Sequence, residues 1–251
     1  RSWDGYRSHF YKTQEFATPG YYSVYLTDTK VKAELTASAH VAFHRYTYDS
    51  TDSTSVLIDL QHGPAWNDKQ YHSQVNRCKT HWEDAYTLVG HVQNTVWVKQ
   101  DYFFIIKFNR PVASHITLNK AADTEKGDRI VATFDGIEQG EQLLMKIAMS
   151  TTSVDGAKKN LYTEVPYWDF AAVKQSANNE WNKYLKRIDI EGTDDQKKNF
   201  YTSFYHALIQ PNQIADVDGM YRNAADKIVK AENGLFYSTF SCWDTYRAAH
   251  P

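Results

Sequence analysis

At 251 residues and 29.0 kDa the chain is long enough for one large or two modest domains with a well-buried core. A net charge of −2 and a pI near 6.6 leave no electrostatic footprint for nucleic acid or an anionic membrane, and no apolar run approaches the ~20 residues that span a bilayer. Two cysteines, Cys78 and Cys242, exclude a disulfide framework and a cysteine-built metal site, and they are read as buried free thiols.

In chain order, short β runs come first. Tyr21–Leu26, Val31–Ala37, Val41–Tyr48 and Val56–Leu60 are followed by Tyr86–Val92, Val96–Val98 and Tyr102–Phe108, then by His115–Leu118, Arg129–Phe134 and Leu143–Met149. Turn signals at Pro19-Gly20, Thr27-Asp28-Thr29, Gly63-Pro64, Asn109-Arg110-Pro111 and Asp135-Gly136 separate them. This spacing, with no helical pattern between the runs, predicts an antiparallel β-sandwich. Val31–Ala37 alternates cleanly, as a strand with one wet face should. His62, His72, His81 and His91 recur every nine or ten residues, match no metal-binding helix pattern, and are read as exposed strand or loop residues.

The period then changes to three and four. Phe170, Val173, Ala177, Trp181, Tyr184 and Leu185 share one helical face, with Asp169 as its N-cap. Thr193 with Gln196 three residues on is a capping-box pattern, and it opens a second helix with Phe200, Phe204 and Leu208 on its apolar face, stopped by Pro211. The resulting division is a sandwich over 1–165, a connecting helix over 166–190 and the opening of a helical domain over 191–251.

Aromatic residues make up 15%, with 18 Tyr and 7 Trp. That excess suits carbohydrate, whose rings offer an apolar C–H face and a hydroxyl rim, and it equally suits strands. There is no Gly-x-Ser-x-Gly turn and no phosphate-cradling glycine loop. Asp216-Val217-Asp218-Gly219 begins like a calcium loop but lacks a further acidic ligand in register and a closing glutamate, so a turn is the reading. The terminal Trp243-Asp244-Thr245-Tyr246-Arg247 combines an indole for stacking, a carboxylate that accepts sugar hydroxyls and a guanidinium that orients it. The alternative is core packing for Trp243 and Arg247, with an Arg247–Asp244 ion pair.

Several segments together carry a resemblance. Glu15-Phe16-Ala17-Thr18-Pro19-Gly20-Tyr21-Tyr22-Ser23-Val24-Tyr25-Leu26, then Ala33-Glu34-Leu35-Thr36-Ala37 and His44-Arg45-Tyr46, appear in one order with Gln210-Pro211-Asn212 and Asp216-Val217-Asp218-Gly219-x-Tyr221-Arg222. With Ser241-x-Trp243-Asp244-Thr245-x-Arg247-Ala248-x-His250-Pro251 they resemble glycoside hydrolase family 92, the calcium-dependent exo-α-mannosidases. The resemblance implies a β-sandwich joined to an (α/α)6 barrel, of which this chain holds most of the sandwich, a connecting helix and the start of the barrel. It implies removal of terminal mannose from glycans by inversion, with an acid and a base about 6.5–9.5 Å apart. It places Trp243, Asp244 and Arg247 in the terminal-mannose subsite, and the catalytic residues and most calcium ligands beyond Pro251. It further implies an extracytoplasmic location, and a span that is inactive without the rest of the barrel. Two other readings stay open: a non-catalytic carbohydrate-binding sandwich, and a sandwich-plus-barrel glycosidase acting on glucosides.

Overall fold

The structure is a computed structural model and describes residues 7–50, 54–61, 74–95, 99–118 and 127–238. A 3-10 turn at Lys12–Gln14 leads into strands β1 (Glu15–Thr18), β2 (Tyr21–Leu26), β3 (Val31–Ala37), β4 (Val41–Tyr48) and β5 (Ser55–Asp59). Strands β6 (Gln74–Asp84), β7 (Thr87–Thr95), β8 (Lys99–Phe108), β9 (Ser114–Leu118), β10 (Arg129–Thr133) and β11 (Gln142–Ser150) follow. Helices α1 (Val154–Glu164), α2 (Phe170–Leu185) and α3 (Asp194–Ala207) precede a short hairpin of β12 (Met220–Arg222) and β13 (Ile228–Lys230).

Eight strands form one antiparallel sheet in the order β1-β2-β3-β4-β11-β8-β7-β6, and β5-β10-β9 form a second. Leu88, Phe104, Ile106, Phe108, Leu143 and Met145 of the large sheet meet Ile58, Ile130 and Ala132 of the small one, and Phe134 just after β10, in a continuous apolar core. This is the predicted sandwich. The opposite face of the large sheet is not left to solvent. Val41, Phe43, Val89, Ile105 and Ala148 pack there against Ala157 and Leu161 of α1 and Phe170 and Val173 of α2. A strand buried on both faces reads as an unbroken apolar run, which explains Phe103-Phe104-Ile105-Ile106 in β8.

That third layer corrects the expectation of a wet face on β3. Glu34 is 4% exposed and Thr36 is 5% exposed, because α2 lies over them. Glu34 accepts a bidentate pair from Arg45 Nε and Nη2, both at 2.8 Å, and a third bond from the Tyr21 hydroxyl at 2.7 Å. Burial alone would raise its pKa; Arg45 and Tyr21 override that and hold it near 2. Gly20 sits at the β1–β2 turn with φ +83°, and a Cβ there would meet Ala177 Cβ at 2.9 Å, so α2 packs where only glycine fits.

The helix signals are realised as capping geometry. Asp169 accepts from the Ala172 N–H at 2.9 Å, and Thr193 and Gln196 form the reciprocal capping box. Trp181 of α2 and Tyr205 of α3 meet edge to face at 4.7 Å. The sequence reading contains neither α1 nor β1 nor β6. His91 is not the exposed residue expected: it stacks on Phe103 at 4.4 Å and pairs with Asp101 at 2.7 Å. His81 is exposed, whereas His62, His72 and the predicted run 96–98 lie outside the described residues. Cys78 is half-buried with a free thiol; Cys242 falls outside the described residues. Among the described residues no helix is long and apolar enough to cross a membrane.

Candidate functional site

Trp243, Asp244 and Arg247 also lie outside the described residues. What the structure does describe is the platform that leads into them. After α3 the chain makes an excursion from 212 to 238 whose two ends are pinned together. The Ser238 N–H donates to the Asn212 carbonyl at 2.7 Å, and the Asn212 N–H donates to the Ser238 hydroxyl at 2.9 Å. Farther in, the Ile214 N–H donates to the Phe236 carbonyl at 2.8 Å, and the Phe236 ring stacks on Tyr221 at 3.7 Å and 14°. Ser238 is thus fixed beside Asn212.

A buried joint fastens this platform to the sandwich. Asp216 is 1% exposed. Its Oδ2 accepts from the hydroxyls of Ser150 and Thr152, each at 2.7 Å, and its Oδ1 accepts from Asn160 Nδ2 at 2.8 Å. Asn160, fully buried in α1, also donates to the Met149 carbonyl at 2.9 Å and accepts from the Val217 N–H at 2.9 Å. Gly156 brings α1 close: a Cβ there would stand 2.6 Å from Asp216 Oδ2, Ser150 Oγ and Thr152 Oγ1. So a carboxylate, an amide and two hydroxyls satisfy one another where a sheet end, a helix and a turn converge.

The second acid of the turn is used as well. Asp218 accepts from Lys159 at 2.7 Å and from the Met220 N–H at 3.2 Å, and the Lys159 ammonium is the main reason its pKa is lowered. Gly219, at φ +81°, closes the turn, with its N–H on the Asp216 carbonyl at 2.7 Å. The oxygens of both acids are therefore committed to protein donors in a structural turn. Among the described residues no group of three or more His, Cys, Asp or Glu side chains converges as a metal site.

Two further contacts cross the same junction. Arg222 Nε donates to the Thr151 carbonyl at 2.9 Å, while its Nη1 pairs with Asp226 at 2.9 Å. His40, in the β3–β4 connection, places Nδ1 2.5 Å from Glu164 Oε1 and Nε2 2.8 Å from the Ala215 carbonyl. Sequence reasoning singled out Asp216, Asp218 and Arg222 but not Ser150, Thr152, Asn160, His40 or Glu164. Their only signal in the sequence is polarity at places that fold inward.

Comparison with known proteins accounts for this layout. The family model for the glycosyl hydrolase family 92 N-terminal domain matches residues 1–150, and that for the family 92 catalytic domain matches residues 156–251. Among solved structures, a GH92 α-mannosidase from Bacteroides thetaiotaomicron superposes with a TM-score of 0.88 at 29% identity, over 98% of this chain and 34% of that one. The same enzyme in complex with mannoimidazole gives the same TM-score and identity, over 98% of this chain and 33% of that one. A GH92 inverting mannosidase from Bacteroides thetaiotaomicron VPI-5482 shares the fold, with a TM-score of 0.81 at 24% identity, over 97% of this chain and 33% of that one. The chain thus spans about a third of the length of these proteins. Comparison with curated protein sequences gave no match.

Proposed function

The chain belongs to glycosyl hydrolase family 92, and from that premise we propose that it is part of an inverting, calcium-dependent exo-α-mannosidase that removes terminal mannose from glycans. The observation that carries this reading is the agreement over 98% of the chain with a GH92 α-mannosidase. The mannoimidazole complex of that enzyme supports a mannose-like ligand for the related site here. In this reading Trp243 stacks on the terminal sugar, Asp244 accepts two of its hydroxyls and Arg247 orients Asp244. The acid, the base and most of the calcium ligands are assigned beyond Pro251, and the buried joint at Asp216 holds the segment that delivers the Trp-Asp pair.

The test uses the full-length protein on an aryl α-mannoside and an aryl α-glucoside, with and without a chelator, following the anomer first released by NMR. The expected result is β-mannose as first product, loss of activity on chelation and no turnover of the glucoside. Turnover of the glucoside alone would replace the mannosidase reading with the glucosidase one. Absence of turnover together with retained binding of mannose would favour a carbohydrate-binding module. Within the site, Asp244→Ala should lower kcat/KM by the equivalent of about 2–4 kcal/mol, the scale of charged hydrogen bonds to a transition state. Unchanged kcat/KM would make Asp244 a structural partner of Arg247.

A further inference from the structure

The junction that fixes the platform contains a buried histidine, His40. The His40 side chain is only 9% exposed, and both ring nitrogens face acceptors. Nδ1 meets the Glu164 carboxylate, which also accepts from the Ser38 hydroxyl at 2.5 Å and from the His40 N–H at 2.9 Å. Nε2 meets the Ala215 carbonyl, which has no proton to give. A neutral imidazole carries one N–H and one lone pair, so one of these contacts would set lone pair against lone pair. Only the imidazolium donates to both.

We propose that His40 is a protonation-dependent positioning residue. As a cation it ties the sandwich and the C-terminal end of α1 to the Ala215 carbonyl, and so keeps the Asp216 turn and the excursion 212–238 seated on the sandwich. The tie exists whatever the substrate; its effect on sugar binding rests on the mannosidase reading above.

The charged groups facing the ring are Glu164 from α1 and, beyond Ala215, Asp216 from the turn. Strand β11 meets His40 through the backbone, the Met149 N–H donating to the His40 carbonyl at 3.2 Å. Burial opposes the charge on His40, but Glu164, the Ala215 carbonyl and Asp216 outweigh it and raise the pKa above its ordinary value. A raised histidine pKa contributes fully below the ordinary value of about 6.5 and loses its contribution as pH rises through the folded value. The tie is therefore closed in acid and released in base.

Hydrogen exchange of the full-length protein without substrate tests this between pH 6 and pH 10, after correction for intrinsic base catalysis. The reporters are the Ile214 and Asp216 amides, which donate to the Phe236 and Met220 carbonyls. In the wild type their exchange should accelerate about tenfold across the His40 titration, the scale of one lost charge-assisted hydrogen bond. His40→Arg, a permanent cation, should abolish the step, and Glu164→Gln should move it to lower pH. On the aryl mannoside, KM should rise over the same interval in the wild type and stay flat in His40→Arg. A step that persists in His40→Arg, or one that Glu164→Gln does not shift, would overturn the proposal, and Glu164→Gln alone decides it if the arginine variant does not fold. Because the exchange readout needs no turnover, its failure and a failure of the mannosidase reading are separate results.

Discussion

The two faces of the eight-stranded sheet are covered in opposite ways. Toward β5-β10-β9 the interface is a hydrophobic cluster centred on Leu88, Ile106, Phe108, Ile130, Phe134 and Leu143. Toward α1 and α2 an apolar centre is ringed by polar joints: Glu34–Arg45–Tyr21, Lys146 on the Val165 carbonyl, His40–Glu164, and Asp216 with Ser150, Thr152 and Asn160. Apolar packing is non-directional and sets how stable the sandwich is. Hydrogen-bonded joints are directional and set where the next piece of chain sits. The face that looks chemically busier is the one to which the Asp216 turn is fastened.

The sharpest way to break this contrast is to damage each face and compare. Phe108 is 1% exposed and packs edge to face on Phe134 at 5.0 Å. Phe108→Ala should destabilise the protein by about 3–5 kcal/mol in denaturant unfolding, the range for a truncated core phenylalanine. A loss below about 1.5 kcal/mol would mean that the small sheet is a loose cover. On the other face, Asp216→Ala leaves the Ser150, Thr152 and Asn160 donors without their acceptor and should cost about 3 kcal/mol. It should also open 212–238 to limited proteolysis, which Phe108→Ala should not do below its unfolding transition. Equal cleavage in the two variants would erase the division of labour between the faces.

Gly156→Ala attacks the same joint from the helix side. Alanine in a helix interior is favoured over glycine by about 1 kcal/mol. Here the added methyl would stand 2.6 Å from three buried oxygens, so overpacking of about 1–3 kcal/mol competes with that gain. A net loss of up to about 2 kcal/mol is expected, accompanied by the proteolytic signature of Asp216→Ala. A stabilised variant would show that α1 can withdraw from the turn without consequence.

These joints also mark what the sequence conceals. β2, β3 and β4 are readable to the residue because alternation and turn signals agree. β6 is not: Arg77, Lys79, His81 and Glu83 stud an edge strand, and register shifts at Val75/Arg77 and Trp82/Asp84 break its period. α1 escapes for a related reason. Gly156 and Asn160 occupy its buried face, where a helix pattern wants apolar residues, because that face must receive Asp216. Glu34 reads as solvent-facing until α2 is laid over it. The acidic turn and Arg222 are visible as motifs, yet the partners that fasten them to α1 and the end of β11 come from residues more than fifty positions away. No local pattern encodes such a meeting.

Lys146 gives the finest test of how dry the helical face is. It is 3% exposed, donates to the Val165 carbonyl at 2.9 Å and lies 4.0 Å over the Trp168 ring. Burial, and then the nearby Lys107 charge, lower its pKa from 10.5 to about 8. Between those two values the unfolded chain still binds a proton that the folded protein has released. Stability attributable to Lys146 therefore rises with pH across that window, by at most about 1.4 kcal/mol per pH unit. Lys146→Met removes the titration, so the wild-type advantage over the variant should grow from pH 8 towards pH 10 in parallel unfolding curves. The sign is opposite to that of His40 on the same face, whose contribution fades as pH rises. A difference that stays flat would mean that the ammonium keeps its ordinary proton affinity, and that water reaches the seam between α1 and the sheet.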